Sequence, residues 1–125
     1  MKGDRIAFLD GFATAFFTAG EELTVSEMQR VYARDIAAFA SPKGTLDCIA
    51  ALGRTDFRGD VAKVTVPTLV IHGDSDAVVP FEVSGRRSAE LIPGAKLHVV
   101  KGGPHAINAS HVEEFNTALL EFLAS

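Results

Sequence analysis

The stretch PTLVIHGDSDAVVP, residues 67–80, decides the fold of this chain. Its residues 68–71 form a short apolar run rich in β-branched side chains, which predicts a strand buried on both faces. The run ends at His72 and Gly73, and Asp74 and Asp76 follow directly. In open parallel sheets, functional groups gather in the loops beyond the carboxyl ends of the strands. The two aspartates are therefore candidate functional residues, although Asp74 also suits a simple turn-forming role.

A second unit of the same kind follows along the chain. The segment after Pro80 has a helical pattern that stops at Pro93, and KLHVV at residues 96–100 predicts another strand. A last helix is predicted to begin at Ser110, with Glu113 completing a capping box. The order strand, helix, strand, helix predicts a right-handed crossover, so that strands at about 68–72 and 96–100 pair in parallel.

His105 lies in the loop after the second predicted strand, in the sequence KGGPH. Because parallel neighbours end at the same rim of a sheet, Asp76 and His105 are expected to meet there. A carboxylate in that place accepts the imidazole Nδ1–H and orients the ring as a general base. His72 and His98 are expected to pack or to bond the backbone, and His111 to face solvent. Spacing typical of metal ligands is not found.

Residues 1–62 have a helical pattern and are predicted to form a cap-like segment, distinct from a strand–helix part at 63–125. Thr24 with Glu27 fits a capping box, and Ser41 followed by Pro42 fits a third helix start. Phenylalanines recur at helical spacing near the N-terminus. They suit ordinary packing or the lining of an acyl pocket: Phe8, Phe12, Phe16 and Phe17.

Composition limits the function classes. The net charge of −4 over 125 residues gives no reason to expect nucleic acid or an anionic membrane as a partner. The apolar runs are all shorter than the roughly 18 residues that a membrane span needs. The N-terminus has no signal-peptide pattern, so a cytoplasmic location is expected. The single cysteine, Cys48, fits a reducing compartment and is predicted to be a packed core thiol.

PTLVIHGDSDAVVP followed by GAKLHVVKGGPHAI resembles the C-terminal part of the α/β-hydrolases, in the branch of cofactor-free haloperoxidases, perhydrolases and aryl esterases. The resemblance implies a partial α/β-hydrolase fold, with Asp76 as the triad acid and His105 as the base. It is strong from Thr45 onward and looser before it. It also implies small carboxylic esters as substrates, with perhydrolysis as a side reaction, and it implies no cofactor.

The sequence departs from that family at the nucleophile, because it contains no G-x-S-x-G elbow. Three readings stay open. The chain is a truncated or split serine hydrolase whose separate N-terminal half carries the nucleophile. It is a non-catalytic self-associating or binding module derived from a hydrolase. Or a homo-oligomer rebuilds a weak site with a neighbour's serine or a bound water.

Self-association is expected from the predicted sheet. Two parallel strands leave unpaired backbone groups at an exposed edge, and a two-stranded unit is rarely stable alone. We therefore expect a homodimer or a larger closed assembly, with the apolar cap-like helices supplying much of its interface.

Overall fold

The computed structural model describes residues 3–125. A single turn of 3₁₀ helix at Phe81–Val83 precedes the fifth α-helix. The helices are α1 (Arg5–Phe17), α2 (Glu27–Ala38), α3 (Pro42–Arg54), α4 (Arg58–Val61), α5 (Gly85–Leu91), α6 (Ile107–Ser110) and α7 (Val112–Leu123), and the strands are β1 (Thr18–Ala19), β2 (Glu22–Leu23), β3 (Leu69–Gly73) and β4 (Lys96–Val100). The chain is thus mixed α/β, with its helical elements concentrated before residue 62. The predicted domain boundary at 62 stays a prediction.

Strands β3 and β4 pair in parallel, with Leu69 opposite Lys96 and Gly73 opposite Val100. Helices α5 and α7 pack against this pair. Val100, at the end of β4, is fully buried, and Ile107 just beyond it is buried as well. The carboxyl ends of both strands therefore lie side by side over a packed core, which is the placement that the sequence predicts for the candidate site.

Helices α1 and α2 pack together through a charged contact as well as an apolar one. The Arg30 guanidinium donates to Asp10 Oδ1 at 2.9 Å, and Arg34 donates to the same oxygen at 3.1 Å. Arg5 donates to the carbonyls of Ala38 and Ala40 at the end of α2, at 2.7 and 2.8 Å. Carbonyls at a helix C-terminus lack intrahelical partners, so Arg5 fixes the end of α2 against α1.

The structure corrects the predicted start of α2. Ser26, and not Thr24, is the N-cap, and Gln29 completes the capping box. Thr24 instead donates through its backbone N–H and its hydroxyl to the carbonyl of Phe17, at 3.0 and 2.6 Å. Its side chain stabilises the end of α1, across a short β1–β2 hairpin that the sequence pattern did not indicate.

Other predicted boundaries also shift. Ser110 ends α6 and does not cap α7, whose N-cap residue is His111. The helix predicted after Pro80 is divided into the 3₁₀ turn and α5. The start of α3 is confirmed, since the Ser41 hydroxyl accepts the N–H of Gly44 and Pro42 is the first helical residue.

Burial differs from the prediction at two places. Cys48 is exposed and is not a core thiol. Neither strand is buried on both faces, since most of β3 is half-buried and Leu97 in β4 is 41% exposed. Within residues 3–125 this sheet has two strands, and helices α5 and α7 cover it only in part.

Candidate active site at the rim of the parallel strands

The loops that follow β3 and β4 are joined to each other by backbone hydrogen bonds. The N–H of Asp74 donates to the carbonyl of Val100, and that of Ser75 donates to the carbonyl of Gly103, both at 3.1 Å. The Asp74 side chain adds a third bond by accepting the N–H of Gly102 at 2.6 Å. Asp74 therefore has the turn-forming role that its sequence context suits, extended across two loops.

Two glycines allow this close approach. A Cβ on Gly73 would lie 2.1 Å from the carbonyl oxygen of Gly103 and 2.7 Å from that of Pro104. A Cβ on Gly103 would lie 2.8 Å from a methyl group of Ile107. Since backbone atoms cannot give way as a flexible side chain does, a glycine at 73 is a condition for the two loops to touch.

Asp76 is held in a single orientation by its own loop. Its side chain is 2% exposed, and Oδ1 accepts the backbone N–H groups of Val78 and Val79 at 2.9 and 2.8 Å. The second oxygen, Oδ2, points to His105 and lies 2.7 Å from its Nδ1. These bonds satisfy the acceptors of a buried carboxylate, and they also aim one oxygen at the imidazole.

The ring of His105 is fixed on its other side by the end of α1. Its centroid lies 4.6 Å from that of Phe16, in an edge-to-face arrangement. The carbonyl of Phe16 accepts the N–H of Ala106 at 3.1 Å, so the end of α1 is tied to the loop that carries His105. The cap-like segment and the strand–helix part therefore meet at the candidate site.

This geometry gives His105 the arrangement of a general base. A carboxylate only accepts hydrogen bonds, so Nδ1 carries the proton and donates it to Asp76. The lone pair of the neutral ring is then on Nε2, to which no residue among 3–125 makes a hydrogen bond. The side chain is 29% exposed and borders an open cavity of about 340 Å³. A hydroxyl entering that cavity can pass its proton to Nε2.

Comparison with known proteins finds relatives along nearly the whole chain. A putative non-heme chloroperoxidase of Synechocystis is 41% identical over 96% of this chain and 44% of its own length. The crystal structure of a bromoperoxidase from Bacillus anthracis superposes with a TM-score of 0.96 at 58% identity, over 99% of this chain and 45% of that one. An esterase from Exiguobacterium antarcticum superposes with a TM-score of 0.89 at 33% identity, over 99% of this chain and 44% of that one.

The chain has part of the α/β-hydrolase fold. Its relatives include haloperoxidases and esterases of that fold, and it spans less than half the length of the relatives it matches. It corresponds to their C-terminal portion. No family model matches the chain.

Two further histidines, His98 and His111, lie away from the Asp76–His105 pair. His98 is in β4 and pairs with Glu114 of α7 at 2.8 Å, and His111 bonds to the hydroxyl of Ser110. Among residues 3–125 no serine hydroxyl is hydrogen-bonded to His105, and the hydroxyls of Ser75 and Ser84 bond within their own loops. The described residues also contain no cluster of three or more side chains that could hold a metal ion.

The aromatic residues of α1 separate into different roles. Phe17 is buried, and Phe8 and Phe12 are exposed. Phe16 reaches the candidate site and also borders an apolar pocket of about 170 Å³ between α1 and α2, together with Phe12. Both packing and pocket lining therefore occur along the same helix.

The part of the chain that the structure describes contains no helix long and apolar enough to cross a membrane.

Sequence reasoning missed one residue of the rim. His72 was expected to pack or to bond the backbone, and its Nε2 does lie 2.9 Å from the carbonyl oxygen of Val79. The same nitrogen also lies 3.1 Å from Asp76 Oδ2. The position of His72, as the last side chain of β3 before the aspartates, was the feature that could have indicated this. Its contacts with Val79 and Asp76, however, depend on how residues 76–79 fold back.

Proposed function

We propose that this chain carries the acid and the base of a serine-hydrolase site for small carboxylic esters, with Asp76 as the acid and His105 as the base. The serine nucleophile and the oxyanion-hole donors are proposed to come from a separate hydrolase segment outside these 125 residues. The single observation that carries the proposal is the 2.7 Å bond between a buried, oriented carboxylate and a partly exposed imidazole that borders a cavity.

The chemistry follows from that bond. His105 Nε2 takes the proton of the serine hydroxyl as its oxygen attacks the ester carbonyl, and Asp76 stabilises the imidazolium that forms. The imidazolium then gives the proton to the leaving alcohol, which departs as the acyl–oxygen bond breaks. Water enters by the same route, and its attack releases the carboxylic acid and the serine. The names of the relatives, which are haloperoxidases and esterases, support this reaction class.

Reconstitution with a complementary segment tests the proposal. The part of the Bacillus anthracis bromoperoxidase that this chain does not cover is co-expressed with the 125-residue chain, and hydrolysis of an activated aryl ester is measured. Activity is expected only when both pieces are present. His105→Ala is expected to lower kcat by roughly 10⁴-fold or more, and Asp76→Asn by a similar order, because triad members act as a unit.

A matched variant controls for loss of folding. His98→Ala removes a histidine that is bonded to Glu114 away from the rim, so it should leave the reconstituted rate unchanged. A co-purified, folded pair that hydrolyses no ester would contradict the proposal and favour a non-catalytic module. Turnover by the chain alone, with labelling of one of its own serines by a phosphonate, would point instead to a site rebuilt within a homo-oligomer.

A further inference from the structure

A second histidine lies against the carboxylate of the candidate site. The Nε2 atom of His72 lies 2.9 Å from the carbonyl oxygen of Val79 and 3.1 Å from Asp76 Oδ2. Both neighbours are acceptors, so Nε2 carries a hydrogen, which it donates to the Val79 carbonyl while lying beside the carboxylate. The tautomer of His72 is thereby fixed as the one protonated on Nε2, the opposite of that in His105.

The ring of His72 has little freedom to move away. Its side chain is 15% exposed, and its centroid lies 5.6 Å from that of Phe81. Helix α5 begins directly against it, since a Cβ on Gly85 would lie 2.5 Å from His72 Nδ1. Gly85 therefore leaves space for the imidazole, and the start of α5 holds the ring toward Asp76.

Hydrogen bonds connect His72, Val79 and Asp76 around the loop 76–79. Val79 donates its N–H to Asp76 Oδ1 and accepts from His72 through its carbonyl. Asp76 in turn accepts three N–H groups, those of Val78 and Val79 on Oδ1 and that of the His105 ring on Oδ2, and His72 Nε2 lies against Oδ2 at 3.1 Å. Removing the His72 donor would leave the carbonyl of Val79 without its hydrogen bond and Oδ2 without its second neighbouring ring.

We propose that His72 is a positioning residue, which holds Asp76 in the orientation that directs Oδ2 at His105. The catalytic consequence of this positioning rests on the proposed function. The positioning itself, in which His72 orients Asp76, concerns only this chain. The essential feature of His72 is then a donor at the Nε2 position. Glutamine can place an amide N–H there, asparagine is too short, and phenylalanine fills the space without a donor.

Nuclear magnetic resonance of the 125-residue chain, labelled with ¹⁵N-histidine, tests whether His72 orients Asp76 toward His105. The signal of the His105 Nδ1 proton should be present in the unaltered chain and in His72→Gln. It should be lost or exchange-broadened in His72→Asn and His72→Phe, with the melting curve checking that each variant is folded. Retention of the signal in His72→Asn, or its equal loss in His72→Gln, would overturn the positioning role.

Kinetics of the reconstituted enzyme test the consequence. His72→Asn should lower kcat by roughly 10- to 100-fold with KM unchanged, as expected when a catalytic group is slightly misplaced, and His72→Gln should restore most of it. Equal kcat values for the two variants would overturn the inference. If the unaltered pair is inactive while the resonance pattern is as expected, the proposed function fails and the positioning role of His72 stands.

Discussion

Gly73 is the residue on which the meeting of the two site loops depends. In Gly73→Ala the new Cβ would lie 2.1 Å from the carbonyl oxygen of Gly103, so one of the two backbones must move. We expect a loss of about 1–3 kcal/mol in the free energy of unfolding, the usual range for overpacking. The shift should also weaken the bond between Asp76 and His105. Chemical denaturation measures the first effect, and the His105 Nδ1 proton signal reports the second.

Gly53→Ala is the matched control for that substitution. A Cβ at Gly53 has open space around it, and the residue lies in α3, where alanine is the better helix former by about 1 kcal/mol. This variant should be as stable as the original chain or more so. If Gly73→Ala were equally stable, the close approach of the two loops would not be a requirement of the fold.

At the same scale, the sequence identifies residues by their place at strand ends more readily than by their bonds. Asp76 and His105 are predictable as neighbours because parallel strands end at one rim. The contact of His72 with Asp76 is not predictable in this way. It depends on the turn at residues 76–79, whose backbone N–H groups converge on Asp76. Short-range pattern does not encode that fold-back.

Among the elements, the pairing of α1 with α2 is expected to be sensitive to acid. The hydrogen bond from Arg30, and then that from Arg34, lowers the pKa of Asp10 below its ordinary value of 3.8. A carboxylate with a lowered pKa in the folded state adds stability above its unfolded pKa and loses it as pH falls through the folded value. The free energy of unfolding should therefore decrease as pH falls below about 4.

Asp10→Asn isolates this contribution. The variant should be less stable than the original chain at neutral pH, and the difference should shrink as the solution is acidified, because protonation removes the same charge. Asp47→Asn is the control, since Asp47 pairs with Lys43 on its own helix and joins no second element. Denaturation at several pH values measures the differences. A constant difference across the acid range would show that the carboxylate of Asp10 does not link the helices.

The helices themselves are more predictable than their ends. Thr24 with Glu27 and Ser26 with Gln29 offer overlapping capping boxes, and pattern alone does not choose between them. Tertiary contact chooses, because Thr24 bonds to the carbonyl of Phe17 and leaves Ser26 to cap α2. A tertiary contact also lies at the start of α5, because the helix begins at Gly85, the residue whose missing Cβ leaves space for the His72 ring.

On the scale of the whole molecule, the exposed apolar surface is the main difference between the structure and the sequence-based prediction. The sequence predicts buried strands, yet Leu97 and Val99 of β4 are exposed in this chain. Relatives that are about twice as long have additional segments to place around the corresponding fold. An apolar strand pattern therefore predicts a covered strand, but it does not identify the segments that cover it.

The same surface leads to a prediction about association. Each residue of α3 is at least partly exposed. Both helices carry exposed apolar side chains, which are Met28, Tyr32 and Ile36 on α2 and Leu46, Ile49 and Leu52 on α3. Large exposed apolar areas mark interaction surfaces. We expect the isolated chain to self-associate through α2 and α3 at low micromolar concentration. Sedimentation equilibrium then gives an association constant.

Charge placed on that face should separate the copies. Ile36→Glu combined with Leu52→Glu adds two carboxylates to the proposed interface and should lower the association constant at least about tenfold, since burying an unpaired charge is costly. Lys63→Glu changes charge near the exposed Asp60, away from α2 and α3, and should have little effect. A chain that sediments as a compact monomer before any substitution would refute this account of the surface.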